Sequence, residues 1–521
     1  MNNEYENNLI FINVNIITLN SKSPKANILG IKNNKINYIS DQYSKKTLNR
    51  LKSNKTKIID CNGATILPGF IDSHCHILSY ISSLSNLNLN DLKISSIKNI
   101  KQELIKYSKK ISPGDWIKAN GYHEFNLIDN RHINKSDIDK ILPSNPVRIK
   151  HTSGHADILN SLALKSIGID NNYIEPIGSY IERDDRGEPT GLLINMNSIL
   201  NNKIPKSDQQ QLKKNAERAD KDFLSKGITS MQDATYTNSI KRWELFNKLK
   251  TDNIIKSRIT FMPGYEFLQK FIDAEIKFQS GNNDLNIGPC KIMCNLTDDG
   301  LHPSYEILKK IVNFANKNKF PVSIHAIESG VVEKVIQILY EQKQINNNLG
   351  LNLRNRIEHC SEINIEQIIK LKESGALIST QPGFIYTNGA RYKSLININK
   401  QSFLYPIRSI MNYKIPIAAS SDFPISDFNP LIGIYSLITR KDSQNNILNK
   451  SESISINEAI KLYTYYGAYI CSQESIKGSI EIGKLADLIM MNNNPLDMEY
   501  ENIKDLKNLM TVINGKIVWE S

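Results

Sequence analysis

Nine histidines are spread through the 521 residues, and several stand where a metal ion could use them. His74 and His76 form an H-x-H pair in the run PGFIDSHCH. Residues two apart on a strand point to the same side, so both imidazoles can meet one ion. His325 lies at the end of PVSIHA, His359 in RIEHC, and Asp422 closes IPIAASSD. Imidazole nitrogens with a carboxylate suit Zn2+ or a similar divalent ion, one or two of them. Each residue also has a plainer reading. A strand-end histidine is commonly a hydrogen-bonded structural residue, H-x-H is a weak motif, and Asp422 could cap a following helix. Five candidate ligands at the ends of four strand candidates make a metal centre the better account.

The chemistry such a centre supports is hydrolysis. A metal lowers the pKa of bound water from 15.7 toward about 7, supplying hydroxide at neutral pH. Asp422 beside it would accept the proton and pass it to the leaving group. A serine nucleophile is not indicated, because the chain has no G-x-S-x-G elbow.

These residues need strands to carry them. Short apolar runs alternate with amphipathic stretches: ATILPGFIDSHCH, GITSMQDA, RITFMPG, CKIMCNL, FPVSIHA, RIEHC, ALISTQPG and IPIAASSD. Capping signals open several helices between them: Ser207 with Gln210, Ser304 ahead of Ile307, Ile311 and Phe314, and Ser455 with Glu458. Eight strand candidates alternating with helices predict an α/β fold, a (β/α)8 TIM-like barrel, over residues 64–475. Its strand ends would converge on one face, where barrel active sites sit. The interval from about 90 to 206 is too long for one crossover and reads as an inserted subdomain after the first strand. The ends of the chain are both β-rich. Asn33-Asn34 and Asn514-Gly515 mark tight turns, and residues 1–63 and 476–521 are expected to form one composite small β domain, a sandwich.

Composition narrows the function classes. Hydrophobic residues make up 40% and charged residues 23%, which excludes wholesale disorder. The net charge of +12 comes from lysines scattered with Asn and Ile along the chain, so no nucleic-acid partner is expected. No apolar run reaches the ~18 residues of a membrane span, so no membrane partner is expected. The N-terminus lacks a basic n-region and a small-residue cleavage site, and six cysteines in this length are not a disulfide framework. A cytoplasmic location is the expectation.

PGFIDSHCH and GSIEIGKLADLIMMN resemble the opening and closing signatures of the amidohydrolase superfamily of metal-dependent hydrolases. HTSGHADILNSLAL, IGSYIERDDRGEPTGLL, GPCKIMCNLTDDGLHP, PVSIHA, RIEHC, STQPGF and AASSDFPI are similar to its type-3 branch, that of YtcJ-like proteins and N-substituted formamide deformylases. The resemblance covers essentially the whole chain. It implies that His74, His76, His325, His359 and Asp422 are the metal ligands. It also implies that Lys291 is carbamylated by CO2 and bridges two metals. An unmodified, unpaired lysine in an apolar strand would be costly, which favours the same role. The implied reaction is hydrolysis of a carbon–nitrogen bond in a non-peptide amide, with a small-molecule substrate and room for a homo-oligomer. Esters or cyclic amides would suit the same centre, and a catalytically inactive scaffold is the reading from a different class. Candidate substrate contacts are His155 and His151 in HTSGHAD, Asp298 and Asp299 after the Lys291 strand, and Gln381. Asp72 and Glu358 precede ligands and suit supporting roles. Cys75, Cys290, Cys294 and Cys360 read as buried thiols.

Overall fold

The first apolar run is cut at Pro68-Gly69 and serves two sheets of the computed structural model. Residues 7–90, 94–176, 178–205, 208–297 and 300–521 are described. Before the cut, Thr65–Pro68 pairs with Asn15–Ile17 from the N-terminus and Leu488–Met491 from the C-terminus. After it, Phe70–Cys75 begins a barrel. The break requires glycine, since a Cβ on Gly69 would lie 2.2 Å from Thr229 Oγ1.

The barrel strands are β1 (Phe70–Cys75), β2 (Ile228–Asp233), β3 (Arg258–Phe261), β4 (Leu285–Ile287 continued by Cys290–Ile292), β5 (Val322–Ala326), β6 (Arg356–His359), β7 (Leu377–Thr380) and β8 (Ile417–Ala419). All neighbouring pairs run parallel. Strand β4 is split at Gly288-Pro289, where proline has no N–H for the ladder. Its first half pairs with β3 and its second with β5. Closure runs between the end of β1 and the residues that follow β8. Asp422 N donates to His74 O at 2.8 Å, and His76 N to Phe423 O at 2.9 Å.

Helices cross between the strands. The Ser455–Glu458 capping box is formed, opening Ile456–Leu462. Ser207 lies outside the described residues. Asp208 Oδ1 accepts the Gln211 N–H at 2.7 Å ahead of helix Gln209–Ser225. In Tyr305–Lys317 the expected stripe is rotated. Leu308, Ile311, Val312 and Ala315 are buried, while Ile307 and Phe314 are 50% and 39% exposed. Apolar residues span so wide an arc of this helix that spacing alone does not say which edge faces the sheet.

Strands from both ends of the chain build two sheets over one core. Leu9, Phe11, Leu29 and Ile31 pack there with Ile66, Leu488, Met510 and Val512. Each such side chain contributes about 1.5–3 kcal/mol on burial. Asn514 and Gly515, both at positive φ (54° and 68°), turn the last hairpin. A buried ion pair ties this region to the barrel: Arg258 meets both carboxylate oxygens of Asp487 at 2.5 and 2.9 Å.

Residues 77–219 gather into a separate unit. Its six-stranded sheet runs Tyr180–Arg183, Pro189–Ile194, Ala156–Leu159, Val147–His151, Ile117–Tyr122, Leu87–Asn88. Alternation sends Ile158 and Leu192 into one core and Leu159 and Leu193 into another. Among the described residues, no helix is long and apolar enough to cross a membrane.

Candidate metal centre

The ends of β1, β5, β6 and β8 bring four imidazoles and one carboxylate together. Ring centroids are 5.4 Å apart for His74 and His76, 4.8 Å for His74 and His359, and 4.3 Å for His325 and His359. Asp422 Oδ1 stands 3.0 Å from His76 Nε2 and 3.4 Å from His74 Nε2. His359 and Asp422 both hold left-handed backbone, φ 70° and 61°, unusual for side chains of their size. Such conformations cost roughly 1–3 kcal/mol and are kept where the surroundings fix them, commonly at functional sites.

Three of the imidazoles are anchored by Nδ1. His74 Nδ1 meets Glu358 Oε2 at 2.5 Å, His76 Nδ1 meets Thr235 Oγ1 at 3.0 Å, and His359 Nδ1 meets Gln381 Oε1 at 2.8 Å. With the proton on Nδ1, each ring keeps its Nε2 lone pair for a cation, the arrangement of metal-bound histidines. Burial, with the Lys291 charge, lowers His74 to about 3, and burial lowers His359 as well. Both rings are therefore neutral, which is the ligand form. Burial would raise the Asp422 carboxyl, but the adjoining His76 imidazole, with His74 and His359 whenever those rings are protonated, holds it well below its ordinary value. Its Oδ1 is buried and has no hydrogen bond of good geometry. An ionised, buried oxygen left in that state beside imidazole nitrogens fits a divalent ion.

Beneath this group lies a buried polar network. Glu358 Oε1 accepts from Arg356 Nε at 2.5 Å and from Ser323 Oγ at 2.6 Å. Arg356 also donates to Gln232 Oε1 at 2.5 Å and to Ser73 O at 3.0 Å. Burial would raise Glu358, but Arg356 and His74 hold it well below the usual carboxylate range. Asp72 supports the opposite side, accepting from Ser421 Oγ at 2.5 Å and from the His74 N–H at 3.2 Å.

Lys291, on β4, is 1% exposed, and its Nζ has no hydrogen-bond partner. Burial pulls it down to about 8 against the raising influence of Glu358 and Asp422. Gln381 is not placed for substrate. It is fully buried, with its oxygen on His359 and its nitrogen on Ser420 Oγ at 2.9 Å, so it fixes His359. His151 and His155 belong to the 77–219 unit, where His155 Nδ1 meets Asn195 Oδ1 at 2.9 Å. Asp298 and Asp299 lie outside the described residues. All six cysteines are buried and free, and Cys75 Sγ turns to Gln232 O at 3.3 Å. Arg356, Ser323, Gln232 and Thr235 carry no motif of their own. Only the R-x-E spacing on β6 hinted that Arg356 and Glu358 share a face.

A closed parallel barrel with four imidazoles and an ionised aspartate at its strand ends defines a metal-dependent hydrolase. The chain matches the amidohydrolase family over residues 57–519 and belongs to that family. It is similar to a Bacillus subtilis (strain 168) protein, YtcJ, described as a candidate amidohydrolase, with 27% identity over 93% of this chain and 95% of that one. It is 23% identical to an N-substituted formamide deformylase of Arthrobacter pascens, over 98% of each. A crystal structure of an uncharacterized metal-dependent hydrolase from Pyrococcus horikoshii OT3 shares the fold, with TM-score 0.75, 20% identity and coverage of 95% of this chain and 99% of that one. The protein is an amidohydrolase-type enzyme, a metal-activated hydrolase of carbon–nitrogen bonds.

Proposed function

We propose that the chain hydrolyses a non-peptide amide bond in a small molecule, with Zn2+ or a similar ion held by His74, His76, His325, His359 and Asp422. The observation that carries this is Asp422 Oδ1, buried without a hydrogen bond and 3.0 and 3.4 Å from two imidazole nitrogens. When bound, such an ion supplies a Lewis acid and a water of lowered pKa. Asp422, held ionised, takes the proton of the attacking water and delivers it to the departing nitrogen. Glu358, Thr235 and Gln381 hold three imidazoles in the ligating tautomer. The buried network around Arg356 keeps Glu358 from moving.

Lys291 is assigned a carbamate. Its amine adds to the carbon of CO2 and loses a proton, turning a cation into an anionic oxygen ligand for a second ion. The buried, unpartnered Nζ supports that reading, because a lone ammonium there is costly. The small β domain then comprises the N-terminal residues through Pro68, one strand beyond the expected boundary at 63, with the C-terminal strands, and the catalytic barrel with its insertion begins at Phe70. Six buried thiols support a reducing compartment such as the cytoplasm.

The similarity to an N-substituted formamide deformylase makes N-formyl amines the first compounds to try. The test is turnover of N-formyl amines, other amides, lactams and esters by metal-replete enzyme, followed by amine or acid release. Amide turnover that falls about 100-fold or more in Asp422→Asn supports the proposal. Ester or lactam turnover alone moves the assignment to that class. A correctly loaded protein that turns over none of them contradicts the proposed substrate class.

A further inference from the structure

The 77–219 unit carries a second histidine–carboxylate cluster, built wholly from its own residues. His123 and Glu124 follow strand Ile117–Tyr122, and His151 ends its parallel neighbour Val147–His151. The ladder shifts register between Asn120 and Tyr122, at Gly121 with φ 98°, and this sets Tyr122 opposite His151. Bulges of this kind re-aim the residues that follow them. Here they bring His123, Glu124 and His151 together, with their ligand atoms within 4.8 Å of one another.

Glu124 Oε2 is the focus. It lies 2.8 Å from His151 Nε2, 3.3 Å from His123 Nδ1 and 3.7 Å from His132 Nδ1. In a tetrahedral zinc site with bonds of ~2.0–2.1 Å, neighbouring ligand atoms are ~3.3 Å apart. The His123 distance matches that edge and the His151 distance is about 0.5 Å shorter. His151 is 7% exposed, and its Nε2 and Glu124 Oε2 are both buried without a hydrogen bond of good geometry, although 2.8 Å apart. A plain imidazole–carboxylate pair would align the N–H on the oxygen. The barrel centre shows the same feature at Asp422 Oδ1.

We propose that this unit binds its own divalent transition-metal ion through His123 Nδ1, Glu124 Oε2 and His151 Nε2. Two imidazoles and a carboxylate are a zinc-class donor set that leaves a fourth position open to water. His132, held by the Tyr122 hydroxyl at 3.0 Å, stands beside it. Coordination through His151 Nε2 puts the ring proton on Nδ1, facing Ser153 Oγ at 2.7 Å, and replaces the 3.1 Å hydrogen bond that Nδ1 accepts from the Ser153 N–H. At His123 the ion replaces a 3.2 Å hydrogen bond from the Phe125 N–H. None of these ligands belongs to the barrel centre, so the site goes beyond the proposed function.

The test is titration of the metal-stripped full chain with Co2+, reading bound equivalents and the visible absorption of tetrahedral cobalt. His74→Ala/His76→Ala should retain one tightly bound ion. Adding Glu124→Gln, at a half-buried position, should weaken that ion at least about tenfold. His123→Ala/His151→Ala should bind one equivalent fewer than the natural chain, with circular dichroism confirming that the protein is folded. Equal counts in the natural chain and folded His123→Ala/His151→Ala overturn the site. So does a His74→Ala/His76→Ala protein that binds no Co2+, or one whose remaining ion is indifferent to Glu124→Gln. If His74→Ala/His76→Ala keeps the full count while His123→Ala/His151→Ala loses one equivalent, the barrel assignment falls and this one stands.

Discussion

Replacing Glu358 by glutamine separates the two tasks of that carboxylate. The side chain keeps its shape but loses its charge, leaving fully buried Arg356 without its counter-ion. Breaking a buried pair by removing one partner costs about 3–5 kcal/mol. The amide must also choose an orientation. If its oxygen keeps Arg356 and Ser323, its NH2 confronts the His74 Nδ1–H, donor against donor. The ring proton then moves to Nε2, and the lone pair facing Asp422 is lost. Loss of such a support weakens metal binding about 10–100-fold. Urea unfolding of the metal-free protein reads the first effect, and titration from a metal buffer reads the second. Ser323→Ala is the control: losing one donor to the carboxylate costs about 1.5–3 kcal/mol and leaves metal affinity within a few-fold. Glu358→Gln with natural metal affinity would refute the claim that Glu358 sets the His74 tautomer.

Gln381→Ala should weaken metal binding about 10–100-fold, and Gln381→Glu, which keeps an acceptor for His359 Nδ1, should recover most of it in the same titration. Lys291→Ala should lose one metal equivalent and most activity. Formate or acetate, small enough to enter the space left, should restore part of both; no rescue and an unchanged metal count would sink the carbamate. Lys250, which donates to the carbonyls of Lys256 and Ser257, is pulled by burial from 10.5 to about 8. The unfolded chain therefore binds more protons between pH 8 and 10.5, and stability gains up to about 3 kcal/mol across that window as pH rises. Lys250→Met should flatten that rise in denaturant melts, and parallel curves for the two proteins would contradict it.

The convergence of His74, His76, His325 and His359 was legible because each ends an apolar run, and a barrel gathers strand ends whatever its loops do. The two-ended sheet was legible from its turns, with Asn514-Gly515 adopting the positive φ its hairpin requires. Partners across strands were not legible. Period-two spacing puts Arg356 and Glu358 on one face of β6, but says nothing of His74, Ser323 or Gln232 arriving from β1, β5 and β2. Gln381 was misplaced for the same reason. A polar residue past a strand end looks ready for solvent, yet its neighbour on β6 claims it. The His123–Glu124–His151 cluster depends on a bulge at Gly121, and a single glycine in a strand does not announce where the next side chains will aim. In Tyr305–Lys317 the period was right and the phase was not, because an apolar stripe that wide has two usable edges.

A metal ion is expected among His74, His76, His325, His359 and Asp422. Zinc-edge anomalous diffraction from crystals of the metal-replete full chain tests it directly. The expected result is a peak about 2.0–2.2 Å from the Nε2 atoms of His74 and His76 and from an Asp422 oxygen, absent in His74→Ala/His76→Ala. A loaded, folded protein with no peak among these side chains would contradict it.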